Sequence, residues 1–191
     1  MRKIIITIAA TLFAFSANAK AEGVKFGIDY LMLNSEVEIL DFDTSAIQLR
    51  VSNELNPYFD LEGVLAFGVS DDTYTESDPL AGTASITGQL GNMFGVFAKL
   101  HSDSSSPFQI FGKVGLVMVE YDLDFFIDTP GLVGSASQSY DDTGIAFGAG
   151  ASFNITDKVA VAAEYSMLPD VDFEGLDIET DVIGVGIQMS F

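Results

Sequence analysis

From residue 24 to the end of the chain, apolar and polar side chains alternate with a period of two in eight separate runs, divided by turn-forming residues. In the first run Val24, Phe26, Ile28, Tyr30 and Met32 share a face against Lys25, Gly27 and Asp29. Ile47, Leu49 and Val51 oppose Gln48 and Arg50, and Phe59, Leu61, Leu65, Phe67 and Val69 oppose Asp60, Glu62 and Ala66. Phe94, Val96, Ala98 and Leu100 face away from Gly95 and Lys99, and Phe108, Ile110, Val114, Leu116 and Met118 from Gln109, Lys113 and Gly115. Ile145 to Phe153, Val159 to Met167 and Ile183 to Phe191 repeat the pattern against Gly144, Gly148, Gly150, Glu164, Gly184 and Gly186. Each run predicts a strand with one apolar face. All five prolines lie between runs or at a run's edge, where the missing N–H breaks no ladder.

The connectors alternate in length. Those at 53–57, 102–107 and 154–157 are short, and those at 34–43, 70–84, 120–142 and 168–181 are long. A soluble sandwich would bury the apolar faces and expose the polar ones, with no reason to set glycines so regularly opposite the apolar face. A membrane barrel reverses the sense: apolar residues face lipid, and small or polar ones fill a narrow interior. The even strand count and the alternating connectors predict an all-β fold, an eight-stranded antiparallel up-and-down transmembrane β-barrel. Phe26, Phe59, Phe108, Phe153 and Phe191 stand at the short-connector ends and predict an aromatic girdle at the periplasmic interface.

Composition sharpens this. Hydrophobic residues make up 48% of the 191, yet the formal net charge is -20. A disordered acidic chain would lack the 16 Phe and 6 Tyr. Arg2 and Lys3, an apolar run from Ile4 to Phe15 and the small residues Ala17 and Ala19 read as a secretory signal peptide over 1–21, with cleavage after Ala19 or Ala21 and a barrel domain over 22–191. The run is too short to cross a bilayer, and no later stretch is a candidate membrane helix. With no cysteine, the exported domain holds together without disulfides.

In Gly95-Val-Phe-Ala-Lys99, Phe111-Gly-Lys-Val-Gly115, Phe147-Gly-Ala-Gly150, Ala163-Glu164-Tyr165 and the ending from Gly184 to Phe191, the chain resembles the small outer-membrane β-barrel proteins grouped with the outer-membrane protein A (OmpA) transmembrane domain and the opacity-type surface proteins. The resemblance covers the whole mature chain. It implies residence in the cell outer membrane of a Gram-negative envelope and insertion by the barrel assembly machinery, with Phe191 as the terminal aromatic that machinery reads. Unlike full-length OmpA, the protein is expected to carry no periplasmic domain after the barrel.

Two groups of charges carry the candidate chemistry. Inward positions hold Lys25, Arg50, Lys99 and Lys113 with Asp29, Asp60, Glu62 and Glu164. A bore of eight strands barely accommodates its own side chains, so these are predicted to plug it as ion pairs; a gated ion or proton path is the alternative. The four long connectors hold 20 acids and no lysine or arginine. That field is expected to repel nucleic acid and other polyanions and to attract calcium, magnesium or a basic extracellular partner, with divalent ions bridging to lipopolysaccharide phosphates. Asp170, Asp172, Glu174 and Asp181, with Gly175 at the sixth position, approximate a calcium loop, although strands replace the flanking helices and aspartate replaces the usual final glutamate. His101, the only histidine, has Ser102, Asp103 and Ser104 beside it, but the topology puts it in a periplasmic connector, away from the outer leaflet where lipid A lies. The expectation is a non-enzymatic barrel with a structural or surface-interaction role, no catalytic residues and no tightly held cofactor; a narrow porin-like channel is the alternative and a lipid-modifying enzyme the third reading.

Overall fold

The computed structural model describes residues 23–37, 40–173 and 176–190. The expected signal peptide, Phe191 and Glu174 lie outside the described residues. The elements are β1 (Val24–Val37), β2 (Leu40–Asn56), β3 (Phe59–Asp78), β4 (Gly82–His101), β5 (Phe108–Thr129), β6 (Leu132–Thr156), β7 (Val159–Met167), β8 (Val171–Phe173) and β9 (Leu176–Ser190). Each of β1 to β6 pairs antiparallel with the next, β7 pairs with β9, and β9 closes the ring on β1 from Lys25↔Ser190 to Glu36↔Glu179. Eight strands therefore form a closed barrel, and β8 is a short extra strand that folds back on β9.

Closure gives every wall strand two hydrogen-bonded neighbours, the condition for a sheet to sit in hydrocarbon. The outward faces are apolar and uncovered: Ile28 is 51% exposed, Leu116 63% and Ile187 50%. Such a belt around a soluble protein would far exceed the few hundred Å² of exposed apolar patch a monomer normally carries. No helix among the described residues is long and apolar enough to cross a membrane; the strands do so. Phe26, Phe108 and Phe153 are exposed at the short-turn end, and Phe59 there is half-buried.

Two expectations are corrected. The long connectors are mostly strand. β3 runs to Asp78, β4 starts at Gly82, β5 reaches Thr129 and β6 starts at Leu132, so these four continue past the bore as one projecting sheet. Nearer the bore Leu90, Tyr121 and Leu123 stay buried on one face, but both faces of the outer part meet water, so the apolar alternation fades toward the tips, while Thr, Tyr and Phe keep the backbone extended. Its tips are tight turns: Pro130-Gly131, with Gly131 at φ 93°, suits the type II geometry, and Asp78 accepts the N–H groups of Leu80 and Ala81 at 2.7 and 2.8 Å. Register shifts at Phe67/Asp71 and Leu90/Asn92 mark where the sheet leaves the bore, as bulges do at barrel rims.

The second correction concerns the interior. Small and polar side chains dominate it only toward the short-turn end. Toward the long hairpins Leu31, Leu33, Val64, Met93, Phe97 and Val117 point inward and are at most 4% exposed. They join one apolar cluster with Val119, Tyr121, Leu168 and Val182. The bore needs filling along its whole length, and hydrophobic side chains fill most of that half, with Ser35, Thr180 and the Tyr121 hydroxyl hydrogen-bonded among them.

Candidate functional site

Charged side chains occupy the other half of the bore. Arg50 on β2 donates through Nε to Asp29 on β1 at 3.1 Å and pairs its Nη2 with the other Asp29 oxygen; Gln48 adds a third bond to that carboxylate at 2.9 Å. Lys113 on β5 reaches Glu62 on β3 at 3.0 Å and Glu164 on β7 at 2.7 Å, linking opposite walls. Arg50 Nη1 stands 3.6 Å from Glu62 and 3.7 Å from Glu164, and Lys99 on β4 lies 3.8 Å from Glu62. Two inward rings support the ammonium groups: Lys99 sits 4.0 Å over Phe111 and Lys113 4.2 Å over Phe97. Nearer the short-turn end Lys25 bridges Glu54 and Asp60, at 3.1 Å each.

The structure thus brings all eight inward charges into contact as two neighbouring groups, one around Glu62 and one around Asp60. It adds Glu54 and His101, which the pattern reading had left out. His101 is not a turn residue but the last residue of β4. It is buried, with Nε2 3.1 Å from Asp60 and Nδ1 2.8 Å from the Ser102 carbonyl. Its position follows from the inward parity of Phe97 and Lys99, extended by one step. The Ser102 hydroxyl instead accepts from the Ile110 N–H, and the Ser104 hydroxyl donates to Glu54. Neither serine is held against the imidazole, so no nucleophile–base pair forms there.

Glycines of β6 and β9 leave room for these side chains. A Cβ on Gly148 would come within 2.7 Å of the Ser166 hydroxyl and 3.0 Å of Lys113, and one on Gly186 would run into the Asp29 carboxylate. Two small cavities are present. A cavity of about 20 Å³ touches Asp29, Gln48, Arg50, Lys113, Glu164 and Ser166, and another of about 40 Å³ lies under the long hairpins beside Phe42, Thr44, Tyr121 and Leu123.

Of the acids of the approximate calcium loop, Asp170 lies just before β8, Asp172 on β8 and Asp181 on β9. Asp172 is opposite Asp177 in the β8–β9 hairpin, and Asp181 lies in the wall between Asn34 of β1 and Met167 of β7, on the outward face. Among the described residues no group of three or more acidic or histidine side chains is placed to hold a metal ion. In the turns, hydrogen bonds from the Ala81 and Leu80 N–H groups hold the Asp78 carboxyl below its ordinary range, and the Ser105 N–H does the same for Asp103.

The projecting sheet has two edges. On the β3 side, pairing with β2 stops at Ser70, and the bare edge beyond carries Asp71, Asp72, Glu76 and Asp78. On the β6 side, pairing with β7 begins only at Phe147. Residues 132–139 of β6 are all exposed, and no charged residue occurs between Thr129 and Tyr140. An uncharged bare edge with no lysine, proline or bulge to guard it is unusual, because it offers a ready ladder for another strand.

Known proteins settle what this architecture belongs to. Residues 5–191 match the family model described as outer membrane protein beta-barrel domain. The chain belongs to that family. It is accordingly a protein of the cell outer membrane. Among solved structures it is similar to Ail, the attachment invasion locus protein of Yersinia pestis, at 17% identity over 87% of this chain and 99% of that one (TM-score 0.52). Neisserial surface protein A matches at 13% identity over 89% and 98% (TM-score 0.55), and OprG from Pseudomonas aeruginosa at 12% over 89% and 96% (TM-score 0.56). At these identities the likeness concerns the fold. No curated protein sequence matches the chain.

Proposed function

We propose that this family member is a non-enzymatic, non-conducting barrel that holds a β-sheet out from the cell surface for contact with basic polypeptides. The observation that carries the reading is the extension of β3 to β6 beyond the bore, ending in the uncharged bare edge at 132–139. Long hairpins face the exterior in barrels of this class. An extended segment added to β6 would take its affinity from main-chain hydrogen bonds, and the surrounding acids would select cationic partners. Ail is described in complex with a heparin analogue. Polyanion binding is not carried over to this chain, because its four external hairpins hold 20 acids and no base.

The channel reading fares worse on geometry. The cavity of about 20 Å³ among the charges has room for about one water, and the other half of the bore is packed largely with apolar side chains. The acidic exterior makes calcium or magnesium the expected small ions, bridging to lipopolysaccharide phosphates, with Asp170, Asp172, Glu174 and Asp181 as the first place to look. Phe191 serves in assembly, as the terminal aromatic read by the barrel assembly machinery.

The test uses protein refolded into liposomes. Planar-bilayer recordings should show no conductance steps, and a cationic extended peptide should bind with an affinity that falls steeply between about 50 and 200 mM salt, as Coulombic attraction does. Ser135→Lys, on the bare edge, should weaken that binding several-fold more than Ser85→Lys. Ser85 shares a sheet face with Ser135 through Phe126, but its strand is paired on both sides. Equal losses would make the contact purely electrostatic and remove the edge from it; steady conductance steps would restore the channel.

A further inference from the structure

Four buried polar atoms among the described residues have no hydrogen-bond partner within the chain: one is Thr44 Oγ1, and the other three, Arg50 Nη1, Glu62 Oε2 and Glu164 Oε2, lie in the charged half of the bore. These three face one another. Nη1 is 3.6 Å from the Glu62 oxygen and 3.7 Å from the Glu164 oxygen, beyond direct hydrogen-bond reach in both cases. Their side chains are nearly sealed from solvent, at 3%, 0% and 11% exposed. The remaining atoms of the same groups are well bonded. Arg50 spends Nε and Nη2 on Asp29, and Lys113 holds the Oε1 atom of both glutamates.

We infer that Arg50 Nη1, Glu62 Oε2 and Glu164 Oε2 form a binding site for one ordered water molecule. The donor and acceptor count selects this ligand. Ionised carboxylate oxygens accept only, and a guanidinium nitrogen donates only. A ligand satisfying all three must donate twice and accept once, which a single water does. A metal cation would be repelled by the guanidinium, and an anion by the two carboxylates. Space is present, because Arg50 and Glu164 both border the cavity of about 20 Å³, more than the ~10–15 Å³ that one water needs. The alternative of leaving these three buried atoms unsatisfied would carry the desolvation penalty of each atom.

The water joins β2, β3 and β7, and it mirrors Lys113, which ties the same two glutamates through their other oxygens. It is a single bridge and not a member of a water file, since Leu31, Met93, Phe97 and Val182 border the same cavity toward the apolar half.

A crystal structure of the refolded barrel at about 2 Å or better tests the site on the unaltered chain. The expected result is one water peak within about 3.2 Å of all three atoms. Arg50 Nη1 in direct contact with either glutamate, or no density at the site, overturns it. Oxygen-17 relaxation dispersion of the protein in micelles supplies an independent reading. One long-lived water should be present in the wild type, be kept in Glu164→Gln and be lost in Glu164→Met, whose side chain fills the volume without an acceptor. Identical dispersion in wild type and Glu164→Met overturns the proposal. Should Glu164→Met fail to fold, the crystallographic reading of the wild type decides alone.

Discussion

Glu62 is the side chain on which most of the bore's cations converge. It is fully buried and meets Lys113 at 3.0 Å, Arg50 at 3.6 Å and Lys99 at 3.8 Å. Glu62→Gln keeps its shape and removes its charge, leaving three cations crowded around a neutral amide. Breaking a buried pair from one side costs about 3–5 kcal/mol, and unfolding by denaturant should show a loss of that order. Asp71→Asn, on the exposed sheet, should change stability by less than about 0.5 kcal/mol. A second residue-scale effect lies at the β3–β4 tip. The Asp78 carboxyl titrates below its ordinary 3.8, so its support of the turn is complete above that value and is lost as pH falls through the lower folded-state value. The amide shifts of Leu80 and Ala81 should therefore move with a midpoint below 3.8, and should not move in Asp78→Asn. Much of this scale was legible in the alternation, which put Lys25, Arg50, Glu62 and Lys113 on inward positions. Glu54 and His101 escaped it because they sit one step beyond the apolar residues that mark each strand, where parity has nothing to be read against.

At the scale of elements, β9 owes its fit against β1 to missing side chains. Gly186 is paired with Asp29, and a Cβ there would meet the carboxylate and the Ile28 carbonyl. Gly186→Ala should lower stability by about 1–3 kcal/mol, the range for overpacking a tight interior. Gly134→Ala, on the projecting part of β6 with open space around it, should be close to neutral by the same measurement. The strands within the bore were legible because one face of each meets lipid. Residues 71–78 and 132–142 were not, since a sheet wetted on both faces has no reason to alternate. What remains there are turn signals such as Pro130-Gly131 and a run of hydroxyl-bearing residues, and acidic stretches of that kind look like loops.

For the whole molecule, the ring of eight followed from even strand number and connector length, while the division of its interior did not. In Leu116-Val-Met-Val119 the alternation places Leu116 outward, where it meets lipid, but Val117 and Val119, wholly buried in the bore, are as apolar as the lipid-facing residues, so nothing in the small and polar inward pattern announces an apolar half. Two different solvents, hydrocarbon and packed protein, select the same residue types. The charged and apolar halves together leave a barrel with a filled centre, consistent with a wall whose work is done outside it.

The bases have a distribution with a consequence of its own. Among the described residues they are Lys25, Arg50, Lys99 and Lys113 in the bore and Lys158 in a short turn. With the long hairpins outward, the exposed face of the molecule offers a protease no basic residue to cut after and an amine-reactive dye no primary amine to label. Trypsin applied to intact cells should leave the chain whole, and cleavage at Lys158 should appear only once the periplasm is opened. Fragments ending at Lys158 from intact cells would mean that the barrel sits the other way up. A surface protein built this way would go unseen by the two reagents most often used to survey cell surfaces.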